Sequence, residues 1–316
     1  MDYLIFFISL AALVYSAEVI ITQSGKIAKH FGMSDYLIGA TLIALGTSLP
    51  EMAATISANL NNRPELAVSN IIGSNILNIA LVLGLVLILA KKVKPHRDFF
   101  AKDSSWALFP VLIFVAITLD NEISKISGAA LLALMVGYML FLIRYDKEAL
   151  EISEVVDDVL EDTPKEFSLP KNILILILGF IGVVYGADFM VDSASNIARD
   201  LGVKEWVIGI VLVSLGTSMP ELIVSIVAAL KNRADMAIGN IIGSNMANIT
   251  IALGSAALLK PIELDFKEYN FDIAVMVIAT FMLVFITANK MYTKAAGISL
   301  LVLLTIFLEH LGKNIH

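Results

Sequence analysis

The chain has 316 residues, 58% of them hydrophobic and 16% charged, with a formal net charge of −7 and a mean hydropathy of +0.84. Soluble domains carry roughly a quarter charged residues, so this balance excludes an ordinary water-soluble domain and points to lipid as the solvent. The absence of cysteine excludes a disulfide framework, a thiolate metal site and a catalytic thiol.

A membrane-spanning helix needs about 20 mostly apolar residues. The first candidate, 3–22, has no basic residue before it and is long enough to span, so it reads as a transmembrane helix and not a cleaved signal. Next come 36–60, with Gly46 and Pro50 in its interior, then 66–89, 104–119 and 126–143. The stretch 144–171 that follows is acidic, with Asp146, Glu148, Glu151, Glu154, Asp157, Asp158, Glu161, Asp162 and Glu166, and reads as a solvated cytoplasmic linker. Five more candidates complete the chain, at 172–191, 206–230, 236–259, 270–288 and 295–311. The lysines and arginines all avoid the segment interiors. They are denser on the side holding the cluster Lys91, Lys92, Lys94, Arg97 and Lys102, which the positive-inside rule makes cytoplasmic, leaving both termini extracytoplasmic.

The chain matches itself at an offset of 170 residues. Ile38–Glu51 reads IGATLIALGTSLPE and Ile208–Glu221 reads IGIVLVSLGTSMPE, identical at nine of 14 positions. Leu66–Ile79, LAVSNIIGSNILNI, and Met236–Ile249, MAIGNIIGSNMANI, are again identical at nine of 14, and Asn62-Arg63 matches Asn232-Arg233 between the blocks. Chance similarity between apolar segments would preserve Leu and Ile. Here Gly, Thr, Ser, Pro, Glu and Asn recur, which marks a duplication. Five spans separate equivalent points, and five is odd, so the second copy is upside down relative to the first, as in many secondary transporters. The expected fold is an all-α membrane protein of ten transmembrane helices in two inverted five-helix repeats, 1–143 and 172–316, joined by the linker.

The repeated blocks carry the chemistry. Pro50 and Pro220 have no N–H to donate, which frees the carbonyls of Gly46 and Gly216 and lets neighbours, Ala44 and Ser214 among them, tilt out as ligands. Irregular backbone at membrane depth survives only where it is buried in protein or lines a cavity. Gly and Pro alone also mark a simple kink, but a glutamate follows in both copies. A charge at a helix centre costs about 2.5–3.5 kcal/mol on insertion scales, so Glu51 and Glu221 point to function over a protonated structural role. Thr47 and Ser48 share a helix face with Glu51, and Thr217 and Ser218 share one with Glu221; a single hydroxyl here would more often bond back to its own helix. Asn70, Ser74 and Asn78, like Asn240, Ser244 and Asn248, form i, i+4, i+8 stripes that read as the remaining walls of a site. Asn75 and Asn245 lie off these stripes and are assigned to bracing the broken helices. Carboxylates, amides, hydroxyls and carbonyls, with no His or Cys among them, suit Ca2+, Na+ or Mg2+. Two carboxylates neutralise one divalent ion, and flexible oxygen ligands favour Ca2+.

These blocks resemble the two alpha-repeats of the Ca2+/cation antiporter superfamily, in its prokaryotic sodium/calcium exchanger branch, through G-T-S-x-P-E at Gly46–Glu51 and Gly216–Glu221 and G-S-N at Gly73–Asn75 and Gly243–Asn245. The resemblance covers essentially the whole chain. It implies a non-enzymatic antiporter working by alternating access, with Ca2+ expelled as Na+ enters. It also implies that Glu51 and Glu221 serve both ions and that Thr47 and Thr217 are Ca2+ ligands. Ala44, Ser48, Ser74, Ser214, Ser218 and Ser244 would form flanking Na+ sites, and Asn78 and Asn248 would line the centre. Where the potassium-dependent branch carries Asp, this chain has Asn248, so potassium coupling is not expected. Ser69 stands opposite Gly239 in the second repeat without an evident reason. No cofactor, nucleic acid or protein partner is implied; the partners are membrane lipid and the transported Ca2+ and Na+. The competing readings are H+/Ca2+ antiport on the same glutamates, an intramembrane enzyme using two carboxylates, and a passive channel.

Overall fold

A computed structural model describes residues 2–90, 103–153, 167–202 and 214–313. The basic cluster at 91–102, most of the acidic linker and the first part of the second repeat block lie outside these residues. Eleven helices are present among the described residues: α1 (Asp2–Phe31), α2 (Asp35–Thr47), α3 (Leu49–Leu60), α4 (Pro64–Leu89), α5 (Ser104–Thr118), α6 (Lys125–Ser153), α7 (Leu169–Asp200), α8 (Ser214–Leu230), α9 (Ala234–Leu259), α10 (Phe266–Ala288) and α11 (Lys294–Lys313). Seven are long and apolar enough to cross a membrane on their own, and the bent pair α2–α3 makes an eighth; α5 and α8 are shorter apolar helices. The protein is thus an all-helical, multi-pass membrane protein with seven or, counting the bent pair, eight candidate spans among the described residues. Two strands of two residues, Glu122–Ile123 and Ile262–Glu263, pair antiparallel and tie the loop after α5 to the loop after α9.

Burial sorts the helices. In α4 and α9, which carry the repeated G-S-N block, 78% of the apolar window is buried, against 28% in α1 and α6 and 33% in α7 and α11. The G-S-N helices are therefore the centre of the bundle, and the outer helices present Phe7, Tyr15, Leu140 and Val302 to the surroundings. In water, exposed apolar faces of this size would drive association; in a bilayer they are the surface.

The 170-residue offset recurs in the backbone. Asn62 and Asn232, in the turns α3–α4 and α8–α9, both take the left-handed conformation at φ 59°, which asparagine tolerates better than most residues. The ladder widens into π-helical turns at Asn78–Leu83 and Asn248–Leu253, a distortion that concentrates at functional sites. The first helix of each half, α1 and α7, pack along one another. The central helix of each half is also crossed by a helix of the other half, α4 by α11 at Gly84 and Gly297 and α9 by α6 at Gly254 and Gly128.

The symmetry fails at two places. Between α2 and α3 the chain breaks at Ser48 with a 47° bend, and Pro50 falls in the first turn of α3, where a missing N–H costs nothing. Its counterpart Pro220 lies inside an unbroken α8. The expected freeing of backbone groups is therefore expressed as a helix restart in the first copy and as an internal proline in the second. The other lies at the central glycines, as far as the described residues go, since positions 206 and 210, the counterparts of Tyr36 and Ala40, fall outside them. A Cβ on Gly243 would stand 2.4 Å from the Ala40 carbonyl oxygen, because α2 is pressed against α9 there, whereas a Cβ on Gly73 would meet no described atom within 4 Å.

Gly243→Ala is therefore expected to lower stability by about 1–3 kcal/mol, the usual cost of overpacking against backbone that cannot yield, and Gly73→Ala to leave it unchanged. Thermal unfolding of the two purified variants in detergent checks this; equal shifts would contradict the asymmetry.

Candidate cation-binding site

Glu51 on α3 and Glu221 on α8 are both completely buried. Ser48, at the break before α3, donates to Glu221 Oε1 at 2.8 Å, and Ser218 donates to Glu51 Oε1 at 3.5 Å. Each glutamate is thus held by the serine that precedes the other glutamate by three residues. Ser244 of α9 also reaches Glu221 Oε1 at 3.5 Å. The charge of Glu221 acts directly on Glu51, so the two carboxylates belong to one enclosed site.

The asparagines exchange across the halves in the same way. Asn78 Nδ2 donates to Asn245 Oδ1 at 3.1 Å, and Asn248 Nδ2 donates to Asn75 Oδ1 at 3.2 Å. The π-helical turn carrying Asn78 packs against α8, and the turn carrying Asn248 packs against α3. Asn75 and Asn245, assigned to bracing from sequence, do brace, and what they hold are Asn248 and Asn78. By engaging the amide nitrogens they fix which end of each amide remains free, the usual office of groups behind a ligand shell.

What remains free is oxygen. Eight buried side-chain nitrogen or oxygen atoms lack a hydrogen-bond partner among the described residues, and four of them are Glu51 Oε2, Glu221 Oε2, Asn78 Oδ1 and Asn248 Oδ1. They form two pairs related by the repeat. A buried acceptor without a donor costs about 1–3 kcal/mol, and such groups in native structures call for an explanation such as an ion. Two carboxylate and two amide oxygens match the hard-ligand preference of Ca2+ and Na+.

The other predicted residues divide. Thr47 is buried, with its hydroxyl within reach of the Ile43 and Ala44 carbonyls on its own helix and of Asn240 Oδ1, and it also hydrogen-bonds the Glu221 side chain. The Ala44 carbonyl accepts from Ser48 N and lies 3.5 Å from Ser244 Oγ. Asn70 bonds Thr55 Oγ1 and the Glu51 carbonyl, and Asn240 bonds Ser225 Oγ, so both clamp helices together. Thr55 and Ser225 are repeat-equivalent clamps that the sequence reading did not single out, although the 170-residue offset linked them. Ser214 opens α8 with its side chain outside the described residues. Ser74 and Thr217 line a cavity of about 640 Å³ together with Asn70, Ser69 and Asp272. That cavity explains the mismatch of Ser69 with Gly239: Ser69 faces the cavity and shares a hydrogen bond with Tyr269, while a Cβ on Gly239 would lie 2.7 Å from the Tyr36 carbonyl oxygen.

Fold and site together define a polytopic helical membrane protein with a buried, two-carboxylate oxygen site assembled from two halves. Residues 1–144 and 171–311 match the family model described as sodium/calcium exchanger protein, and the chain belongs to that family. It is 30% identical to the inner membrane protein YrbG of Escherichia coli, covering 93% of this chain and 91% of the relative. It is 28% identical to a sodium/calcium exchanger of Methanosarcina acetivorans, covering 97% of both chains. The solved structure of the sodium-calcium exchanger NCX_Mj, soaked with zero Na+ and Ca2+, superposes with a TM-score of 0.81 at 33% identity, covering 98% of each chain.

Because Ser74 lines the cavity and Ser244 is fully enclosed, Ser74→Cys in this cysteine-free chain should react with a polar thiol reagent from one side of the membrane, and Ser244→Cys should be protected in the absence of transported ions. Mass-spectrometric counting of adducts reads the result, and equal modification from that side would contradict a one-sided cavity.

Proposed function

We propose that the protein is a secondary active antiporter that exchanges Na+ for Ca2+ by alternating access. The observation that carries this reading is the set of four unpartnered buried oxygens on Glu51, Glu221, Asn78 and Asn248. Two carboxylates balance one Ca2+ or, with the flanking hydroxyls of Ser48, Ser218, Ser74, Ser244 and Thr217, distribute several Na+. The family membership and the likeness to exchangers from other organisms support the same assignment.

The architecture we infer is ten spans in two inverted repeats, 1–143 and 172–316, with the linker 144–171 cytoplasmic and both termini extracytoplasmic. On this topology the cavity belongs to the extracytoplasmic side, since it is bounded by the end of α3, the start of α4, the start of α10 and the end of α11. The corresponding path on the other side is closed where Gly239 and Gly243 press on Tyr36 and Ala40. A chain whose halves share sequence but differ in packing has a second conformation available, in which the two exchange roles and the site meets the opposite solution.

The stoichiometry follows from energy. Against a Ca2+ gradient on the order of ten-thousandfold at roughly −100 mV, expelling one Ca2+ costs about 10 kcal/mol. Each Na+ entering down a gradient of roughly tenfold supplies about 3.7 kcal/mol, so two fall short and three suffice. Exchange of three Na+ for one Ca2+ moves one net positive charge inward.

Two measurements test the proposal. Purified protein in liposomes loaded with Na+ should take up Ca2+, and K+ or a pH gradient alone should not drive it; uptake driven only by the pH gradient would establish proton coupling instead. In the same assay Glu51→Gln or Glu221→Gln should lower uptake by at least two orders of magnitude, because Gln keeps the shape but leaves part of the ion's charge unbalanced in a low-dielectric site. Imposing a membrane potential with valinomycin should change the Na+-driven rate; indifference to potential would rule out three-for-one exchange.

A further inference from the structure

Asp272 is the one ionisable side chain among those lining the 640 Å³ cavity. It sits in the second turn of α10, half-buried, opposite walls built from Leu66, Leu77, Leu304 and Phe307, and it shares the cavity with Ser74 and Thr217 of the predicted ion site. A carboxylate in so apolar a wall is costly even near the membrane boundary, which is reason to ask what it does. Glu65, Glu268 and Asp272 all lie close enough to Tyr269 for their charges to act on it. The charge that reaches Asp272 itself is that of His310, whose ring stacks on Phe271, and further along α11 Lys313 is paired with Glu309 at 2.6 Å.

Resting on the antiport reading, we propose that Asp272 is a capture residue for entering cations: its carboxylate gathers Ca2+ and Na+ from solution into the cavity and delivers them past Thr217 and Ser74 toward the glutamate pair. The physical basis is field focusing. A charge inside a cleft with low-dielectric walls acts over a longer range than one on an open surface, raises the local concentration of counter-ions and accelerates their arrival by tenfold or more. The effect on a divalent ion is twice that on a monovalent one, so the residue biases competition at the entrance toward Ca2+ when both ions are dilute. Asp272 does not hold the ion during translocation. It therefore governs how fast the site fills and not how fast the loaded protein turns over.

The test separates capture from a structural pairing with His310. In liposomes of known orientation, Asp272→Asn should raise the KM for Ca2+ on the cavity side on the order of tenfold at low ionic strength, with the maximal rate and thermal stability unchanged. The difference should shrink as salt is raised through about 0.1 M, where the screening length falls to about 10 Å. Asp272→Glu should restore the low KM. In Asp272→Cys, a thiol reagent bearing a sulfonate should recover capture, and one bearing a trimethylammonium group should raise KM further. An unchanged KM in Asp272→Asn would overturn the proposal. So would a change indifferent to salt and to the sign of the attached charge, which would assign Asp272 to packing against His310. Absence of Ca2+ uptake in the unmodified protein would instead defeat the antiport reading, a result visible before any variant is made.

Discussion

The structure turns on the reciprocal bonding of two buried carboxylates, each held by a hydroxyl from the other half of the chain. Ser48 reaches Glu221 and Ser218 reaches Glu51, which requires α3 and α8 to meet at their polar ends and not along apolar faces. Much of the remaining geometry serves that meeting. The break at Ser48 presents its hydroxyl, the clamps Asn70–Thr55 and Asn240–Ser225 lock each glutamate helix to the central helix of its own half, and the asparagine exchange fixes the two central helices against each other. Inside a bundle this hydrophobic, hydrogen bonds among neutral groups set register because the alternative to each is an unsatisfied polar atom.

Two partly exposed ion pairs decorate this arrangement without determining it. Arg233 binds Asp35 at 2.8 Å and Lys231 binds Glu18 at 2.5 Å, joining the α8–α9 turn to the start of α2 and to α1. Pairs this exposed contribute little on average. The Lys231 pair is absent from the repeat pattern, since Lys231 stands where the first half has Asn61, whereas Arg233 and Asp35 recur in sequence as Arg63 and Glu205, the latter outside the described residues.

Much of this was legible in the sequence because polar residues in an apolar chain are informative in themselves. The repeat, the glutamates, the serine and asparagine stripes and the broken first copy all announce themselves through Gly, Pro and hydrogen-bonding side chains among Leu and Ile. Side-chain partners were less legible. The spacing of Thr47 to Glu51 put its hydroxyl at the site, but spacing along one helix does not tell that the same hydroxyl also reaches the carbonyls a turn earlier. Asn70 belongs to a periodic stripe and lines the cavity, and its amide also clamps α4 to Thr55 of α3. The difference between Pro50 and Pro220, and between Gly73 and Gly243, had no sequence signal, because identical residues occupy both copies and only tertiary packing distinguishes them. Asp272 fell close to the boundary of a predicted span, where a carboxylate attracts no notice. Its surroundings became visible only once α11 and α4 were placed beside it.

The exchange of contacts between the halves has a further meaning. When residue i of one body touches j of the other while j of the first touches i of the second, the pattern is that of an isologous interface between two identical subunits on a twofold axis. Asn75 with Asn248 and Asn245 with Asn78 satisfy it, as do the two serine–glutamate pairs. The present chain is in this sense a homodimer whose subunits have been tied into one polypeptide. A single half, present twice, would carry a full complement of these contacts. Joining the two freed each copy to drift where symmetry had bound them together, and the serine at 69 against the glycine at 239 is what such drift leaves behind.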